Sequence, residues 1–124
     1  MKILLAEDNE INMEIAEFYL TELGAEVDKA WNGKEAVEKF AESEPGRYDA
    51  ILMDIRMPHM TGYEATQAIR KLNHPDALSV PIIAMSADAF SEDKQRCLDC
   101  GMNAHIAKPI DVVEITKLLE KYLK

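Results

Sequence analysis

The chain has 124 residues, enough for one domain that removes roughly two-thirds of its extended-chain surface from water on folding. Hydrophobic residues make up 48% and charged residues 30%, with five Gly and five Pro, which excludes a disordered or fibrous chain and predicts a single domain over 1–124. Fourteen Lys and Arg against 23 Asp and Glu leave a formal charge of −9. That balance repels nucleic-acid phosphates and anionic lipid, so direct nucleic-acid binding is not expected. No apolar run approaches the ~20 residues needed to span a bilayer, and Met1-Lys2 leads straight into a short strand-like run without the longer apolar stretch of a signal peptide. No membrane insertion is expected, and the chain reads as cytoplasmic.

Apolar periodicity divides the chain into alternating strands and helices. Lys2 to Ala6 is a short apolar run, and Met13, Ala16, Leu20 and Leu23 then share one face of a helix that Gly24 stops. Ala25 to Ala30 alternates through Val27, and Asn32 caps a helix that turns Ala36, Val37, Phe40 and Ala41 inward, ending at Pro45-Gly46. Ala50 to Met53 is apolar without alternation, followed by Ala65, Ala68, Ile69 and Leu72 at helical spacing. Val80 to Met85 with Phe90, Cys97 and Leu98 gives a fourth pair, and His105 to Ala107 with Ile115, Leu118, Leu119 and Tyr122 a fifth.

Strict alternation predicts an α/β fold with a parallel sheet covered on both faces, because each right-handed crossover lays a helix against it. Uninterrupted apolar strands belong in the centre of such a sheet. The second strand carries Glu26, Asp28 and Lys29 and the fifth is short, so both read as edges. The expected order is 2-1-3-4-5, the flavodoxin-like (βα)₅ arrangement, whose ligands sit at the carboxyl ends of the strands beside the reversal between strands 1 and 3. Glu7 and Asp8 follow the first strand, Asp54 the third, Ser86 the fourth and Lys108 the fifth, so all are expected on one rim.

Three carboxylates gathered there repel one another unless a pKa rises or a cation binds. The donors are hard oxygens without His or Cys, which suits Mg²⁺; Mn²⁺ would also fit. With a cation present, Asp54 is a carboxylate nucleophile, and the Lys108 ammonium and Ser86 hydroxyl suit the oxygens of an arriving phosphoryl group. Taken singly, each of these residues reads better as a cap, a turn or a solvated charge; five of them at successive strand ends do not. Cys97 and Cys100 are spaced C-x-x-C, but a structural zinc needs about four ligands and no second pair exists, while a redox pair opens a helix and this one closes a helical pattern. They read as packing or helix-surface residues.

The acidic Glu7-Asp8-Asn9, the run Ile51 to Pro58 with Gly62, the Ser86-Ala87 step and Lys108-Pro109 together resemble the receiver domain of two-component response regulators, over essentially the whole chain. The resemblance implies that Asp54 is the phosphoacceptor and that Mg²⁺ is positioned by Glu7, Asp8, Asp54 and the main-chain carbonyl of Arg56. It also implies that Ser86 and Lys108 contact the phosphoryl oxygens. The donor it implies is a sensor histidine kinase or a histidine phosphotransfer domain, and output passes to a protein partner through the fourth helix, fifth strand and fifth helix. Ser86 and His105 occupy the switch positions; His105 stands where the family commonly has Tyr or Phe. An inward-turned His105 would make switching depend on pH near neutrality. Arg56 and Asp88, two residues after Asp54 and Ser86, are expected to pair across the mouth of the site and slow loss of the phosphoryl group.

Two other readings share the fold. A phosphohydrolase of the haloacid dehalogenase type also uses a strand-end Asp and Mg²⁺, but wants a second Asp where this chain has Arg56. A flavin-binding electron carrier wants small and hydroxyl residues after the first strand, where this chain has Glu7-Asp8-Asn9-Glu10. The wording around Glu7 to Asn12 and Thr61 to Glu64 resembles receivers within hybrid sensor kinases, which implies a module excised from a larger protein. The expected role is therefore a phosphorylation switch and not a turnover enzyme.

Overall fold

The computed structural model describes residues 1–86, 91–108 and 110–122, with the backbone alone for 91–94. Five strands and five helices alternate in the order β1 (Lys2–Ala6), α1 (Glu10–Glu22), β2 (Glu26–Ala30), α2 (Gly33–Glu42), β3 (Ala50–Asp54), α3 (Gly62–Arg70), β4 (Ile82–Ser86), α4 (Ser91–Cys100), β5 (Ala104–Ala107) and α5 (Val112–Tyr122). The strands form one parallel sheet in the order β2-β1-β3-β4-β5. This is the flavodoxin-like order expected from the strand composition.

The pleat sends alternate residues to opposite faces and so builds two cores. Leu4, Ala6, Ile51, Met53, Ile82 and Ala84 pack under Ala36 and Phe40 of α2, Ala65 and Ile69 of α3 and Cys97 of α4. Ile3, Leu5, Leu52, Ile83, Met85 and Ile106 face Met13, Ala16 and Leu20 of α1 and Ile115 and Leu119 of α5. β3 and β4 are buried at every residue, whereas β2 and β5 are partly exposed, as edge strands must be.

Local signals set the helix ends. The Asn9 and Asn32 side chains accept the backbone N–H groups of Asn12 and Glu35 and cap α1 and α2. Gly24, at φ 90°, closes α1: its N–H reaches the Thr21 carbonyl at 2.9 Å while the Ala25 N–H reaches that of Leu20 at 3.0 Å. Thr61 and Glu64 form a capping box on α3, and the Asp111 carboxylate accepts from Val113 and Glu114 at the start of α5.

Two residues expected inside lie outside. Ala41 is exposed because it sits past Val37 on the α2 wheel, beyond the stripe that Ala36 and Phe40 bury. Leu98 is 55% exposed, a full 100° from Cys97, which takes the core position of α4. Phe90, placed inward by its spacing, falls outside the described residues.

Candidate functional site

The strand order brings the ends of β1, β3, β4 and β5 to one rim, and the rim residues are unusually buried for charged groups. Asp54, the last residue of β3, and Glu7, directly after β1, are each 2% exposed, and Ser86 at the end of β4 is buried. Asp8 is exposed beside them. Glu7, Asp8 and Asp54 each place a carboxylate oxygen within 4.8 Å of the others.

Lys108, immediately after β5, reaches both buried acids. Its Nζ lies 2.7 Å from a Glu7 oxygen and 3.1 Å from Asp54 Oδ2. The other Glu7 oxygen accepts the Asn9 N–H at 3.2 Å, and Asp54 Oδ1 accepts the Arg56 N–H at 3.3 Å. Burial and the neighbouring Glu7 charge push the Asp54 carboxyl up to about 7, against the smaller opposing pull of Lys108. The Lys108 ammonium is held above its usual value because its two carboxylate partners outweigh burial.

The backbone holds these groups in place. The Ile55 N–H donates to the Met85 carbonyl at 3.0 Å, the Lys108 N–H to that of Ser86 at 2.8 Å, and the Glu7 N–H to that of Ala30 at 3.0 Å. Each strand end is thus tied to its neighbour just where its rim residue emerges. Gly62 opens α3 against this rim: its N–H donates to the Ile55 carbonyl at 2.8 Å, and a Cβ there would fall 2.3 Å from the Asp54 carbonyl oxygen. No side chain larger than hydrogen fits.

Glu7, Asp8, Asp54, Ser86 and Lys108 therefore converge as their strand-end positions predict, and Arg56 follows Asp54 on the exposed loop. His105 is a half-buried residue of β5, on the far side of β4 from Asp54, where it lines a hollow of about 240 Å³ with Cys97, Leu98 and Ala104. Asp88, Ala87 and Pro109 fall outside the described residues. Cys97 is buried and the Cys100 thiol donates to its carbonyl at 3.2 Å, the packing role read from their spacing. In the sequence Gly62 is only part of a motif; its close approach depends on where α3 packs, though the T-x-x-E of Thr61 and Glu64 marks the helix start beside it.

Comparison with known proteins decides the family. The model of the response regulator receiver domain matches residues 3–120. The chain belongs to the receiver domain family. Hybrid signal transduction histidine kinase L of Dictyostelium discoideum is 40% identical over 124 residues, covering 99% of this chain and 7% of that protein. Other curated relatives are likewise far longer, the chain spanning 7% to 15% of the first four.

Among solved structures, the receiver domain of a sensor histidine kinase from Pseudomonas aeruginosa superposes with a TM-score of 0.87 at 40% identity. It covers 98% of this chain and 96% of its own, and holds a magnesium ion in its active-site cleft. A Saccharomyces cerevisiae receiver domain, solved in complex with a histidine phosphotransfer protein, matches with a TM-score of 0.85 at 28% identity over 99% of this chain and 88% of that one. The protein is thus a receiver domain of two-component signalling, and the family leaves the hydrolase and flavin readings without support. No helix among the described residues is long and apolar enough to cross a membrane.

Proposed function

We propose that residues 1–124 form one receiver module in which Asp54 takes a phosphoryl group from the phosphohistidine of a sensor histidine kinase or histidine phosphotransfer domain. An Asp54 carboxylate oxygen attacks phosphorus, the P–N bond of the phosphohistidine breaks, and the ring, already protonated on its other nitrogen, leaves as neutral imidazole while an acyl phosphate forms. The observation that carries this reading is the convergence of the Glu7, Asp8 and Asp54 oxygens within 4.8 Å, with Lys108 bridging the two buried acids.

The all-oxygen donor set fits Mg²⁺, and Mn²⁺ by the same chemistry, and Glu7, Asp8, Asp54 and the Arg56 carbonyl are the residues that would hold it. When bound, the cation supplies positive charge against the phosphoryl oxygens. Lys108 would supply a second positive charge beside Asp54, and Ser86 offers a hydroxyl donor. Burial of Asp54 excludes water from the attacking oxygen. Ile11 and Phe18, 68% and 60% exposed, line the outer face of α1 with Ile15 from the rim outward, a surface suited to a protein donor.

The phosphoryl group stays on the protein, so the module is a switch that modifies itself and does not turn over a substrate. Ser86 and His105 carry the change to the face formed by α4, β5 and α5, where a downstream protein reads it. With a net charge of −9, that output is a protein contact in the cytoplasm and not a nucleic-acid or membrane contact.

The test is intact mass after incubation with a small acyl phosphate and Mg²⁺. Wild type gains one phosphoryl group, and Asp54→Ala gains none. One phosphoryl group added to the variant as readily as to wild type overturns the assignment.

A further inference from the structure

Both oxygens of Glu7 are held. One takes the Lys108 ammonium at 2.7 Å, and the other takes the Asn9 N–H at 3.2 Å. The second contact comes from the residue that opens α1. Asn9 sits in extended backbone, φ −94° and ψ 124°. Its carbonyl accepts the Met13 N–H at 2.9 Å, and its side-chain oxygen accepts the Asn12 N–H at 3.0 Å. These are the bonds of a helix N-cap, whose side chain keeps the residue outside helical φ/ψ.

The cap therefore fixes a main-chain donor against an acid two residues earlier. Asp8 lies between them, on a stretch anchored at one end by the Glu7 N–H on the Ala30 carbonyl at 3.0 Å and at the other by Asn9. With both ends tied, little backbone freedom remains at Asp8. Its carboxylate stays within 4.8 Å of those of Glu7 and Asp54 although the residue is exposed. Carboxylates that ligate metals are themselves hydrogen-bonded as a rule, and losing such an outer partner costs about tenfold or more in metal affinity. Without the Asn9 side chain, the Asn12 N–H loses its acceptor and the first turn of α1 opens to water. The N–H that holds Glu7 moves with it.

We infer that Asn9 is a positioning residue for the cation site: by capping α1, its side chain holds its main-chain N–H on Glu7 and so sets the spacing of Glu7 and Asp8. This role rests on the proposed reading that Glu7, Asp8 and Asp54 hold Mg²⁺, a cation that the Asn9 side chain itself does not touch. α2 supplies an internal comparison. Asn32 caps it by the same chemistry, its side-chain oxygen accepting the Glu35 N–H at 2.8 Å, but its amide donates to the Glu35 carboxylate at 3.2 Å and not to an acid of the cluster. Loss of either cap weakens a helix, whereas only loss of the Asn9 cap loosens Glu7.

The test is a Mg²⁺ titration of the isotopically labelled full chain, followed by amide chemical shifts, with thermal unfolding measured in metal-free buffer. Asn9→Ala and Asn32→Ala are each expected to lower the unfolding midpoint, but Asn9→Ala alone to raise the Mg²⁺ Kd, by about tenfold. Asn9→Ser, whose hydroxyl still caps, is expected to return the affinity to near that of wild type. If Asn9→Ala does not fold, Asn9→Gly takes its place, because glycine keeps most of the cap's stability without the side-chain acceptor. An unchanged Kd on loss of the Asn9 side chain, equal weakening by Asn32→Ala, or failure of Asn9→Ser to recover affinity overturns the inference while the cation site stands. Wild type that takes up no Mg²⁺ overturns the cation site and the role of Asn9 with it.

Discussion

The Lys108 ammonium bridges two nearly inaccessible carboxylates, 2.7 Å from Glu7 and 3.1 Å from Asp54. Removing one partner of a buried ion pair leaves an uncompensated charge, at a cost of about 3–5 kcal/mol. Lys108→Ala in metal-free protein is therefore expected to lower thermal stability sharply at pH 8. At pH 5.5 the loss is smaller, because Asp54, already pushed up to about 7, takes a proton and removes the repulsion with Glu7. Lys108 is held above its usual value, so it stays charged across this range and the pH contrast belongs to Asp54. Equal losses at the two pH values, measured by calorimetric unfolding, would contradict this account.

Asp54 itself is expected to cost the metal-free fold stability at neutral pH. Its carboxyl holds a proton up to about pH 7 when folded but only to 3.8, the ordinary value, when unfolded. Between those values the folded state binds the extra proton, so stability falls as pH rises through the window, and the full penalty stands above it. That penalty is at most about 4 kcal/mol. Asp54→Asn, which mimics the protonated acid, is expected to raise the stability of metal-free protein by about 2 kcal/mol at pH 8, the gain vanishing towards pH 4. Chemical denaturation across that range tests the sign, and a variant less stable than wild type at pH 8 refutes it.

On the proposed reading, a divalent cation would compete with the proton for the Asp54 oxygens. Mg²⁺ affinity is expected to fall as pH drops from 8 to 6, approaching tenfold per pH unit below the Asp54 value of about 7. Cation binding near neutrality should also release a proton. Titration calorimetry in buffers of differing ionisation enthalpy measures both, and pH-independent affinity would place the titrating proton elsewhere.

The sequence announces the rim more fully than the contacts made there. β1, β3 and β4 are legible because a central parallel strand needs apolar residues on both faces, and once their order is set, Glu7, Asp54, Ser86 and Lys108 fall at strand ends by counting. The Lys108–Glu7 contact joins residues a hundred positions apart, and nothing in local periodicity encodes it. Nor does periodicity reveal Arg70, whose guanidinium donates to the carbonyls of Ala77, Val80 and Gly101 and so ties the α3–β4 loop to the end of α4. Ala41 and Leu98 lie outside although their spacing points inward, because an apolar residue one step round a helix from the buried stripe looks the same in sequence as one within it.

The β3–α3 loop and the first residue of α3 hold two backbone positions whose substitutions should act in opposite directions. A Cβ on Gly62 would stand 2.3 Å from the Asp54 carbonyl oxygen and 2.9 Å from the Ile55 Cα, both backbone atoms that cannot rotate away. Gly62→Ala must therefore displace α3 or the end of β3, at a cost of about 3 kcal/mol, and shift Asp54 with it. His59, three residues earlier, sits at φ 69°, where an L side chain is strained by about 1–2 kcal/mol. His59→Gly relieves that strain but gives the unfolded chain extra freedom, so its net gain is only up to about 1 kcal/mol. Paired denaturation curves measure both. A destabilising His59→Gly would mean that the imidazole makes contacts outweighing the strain, and a neutral Gly62→Ala would mean that α3 rides more loosely on the rim than its close approach to Asp54 implies.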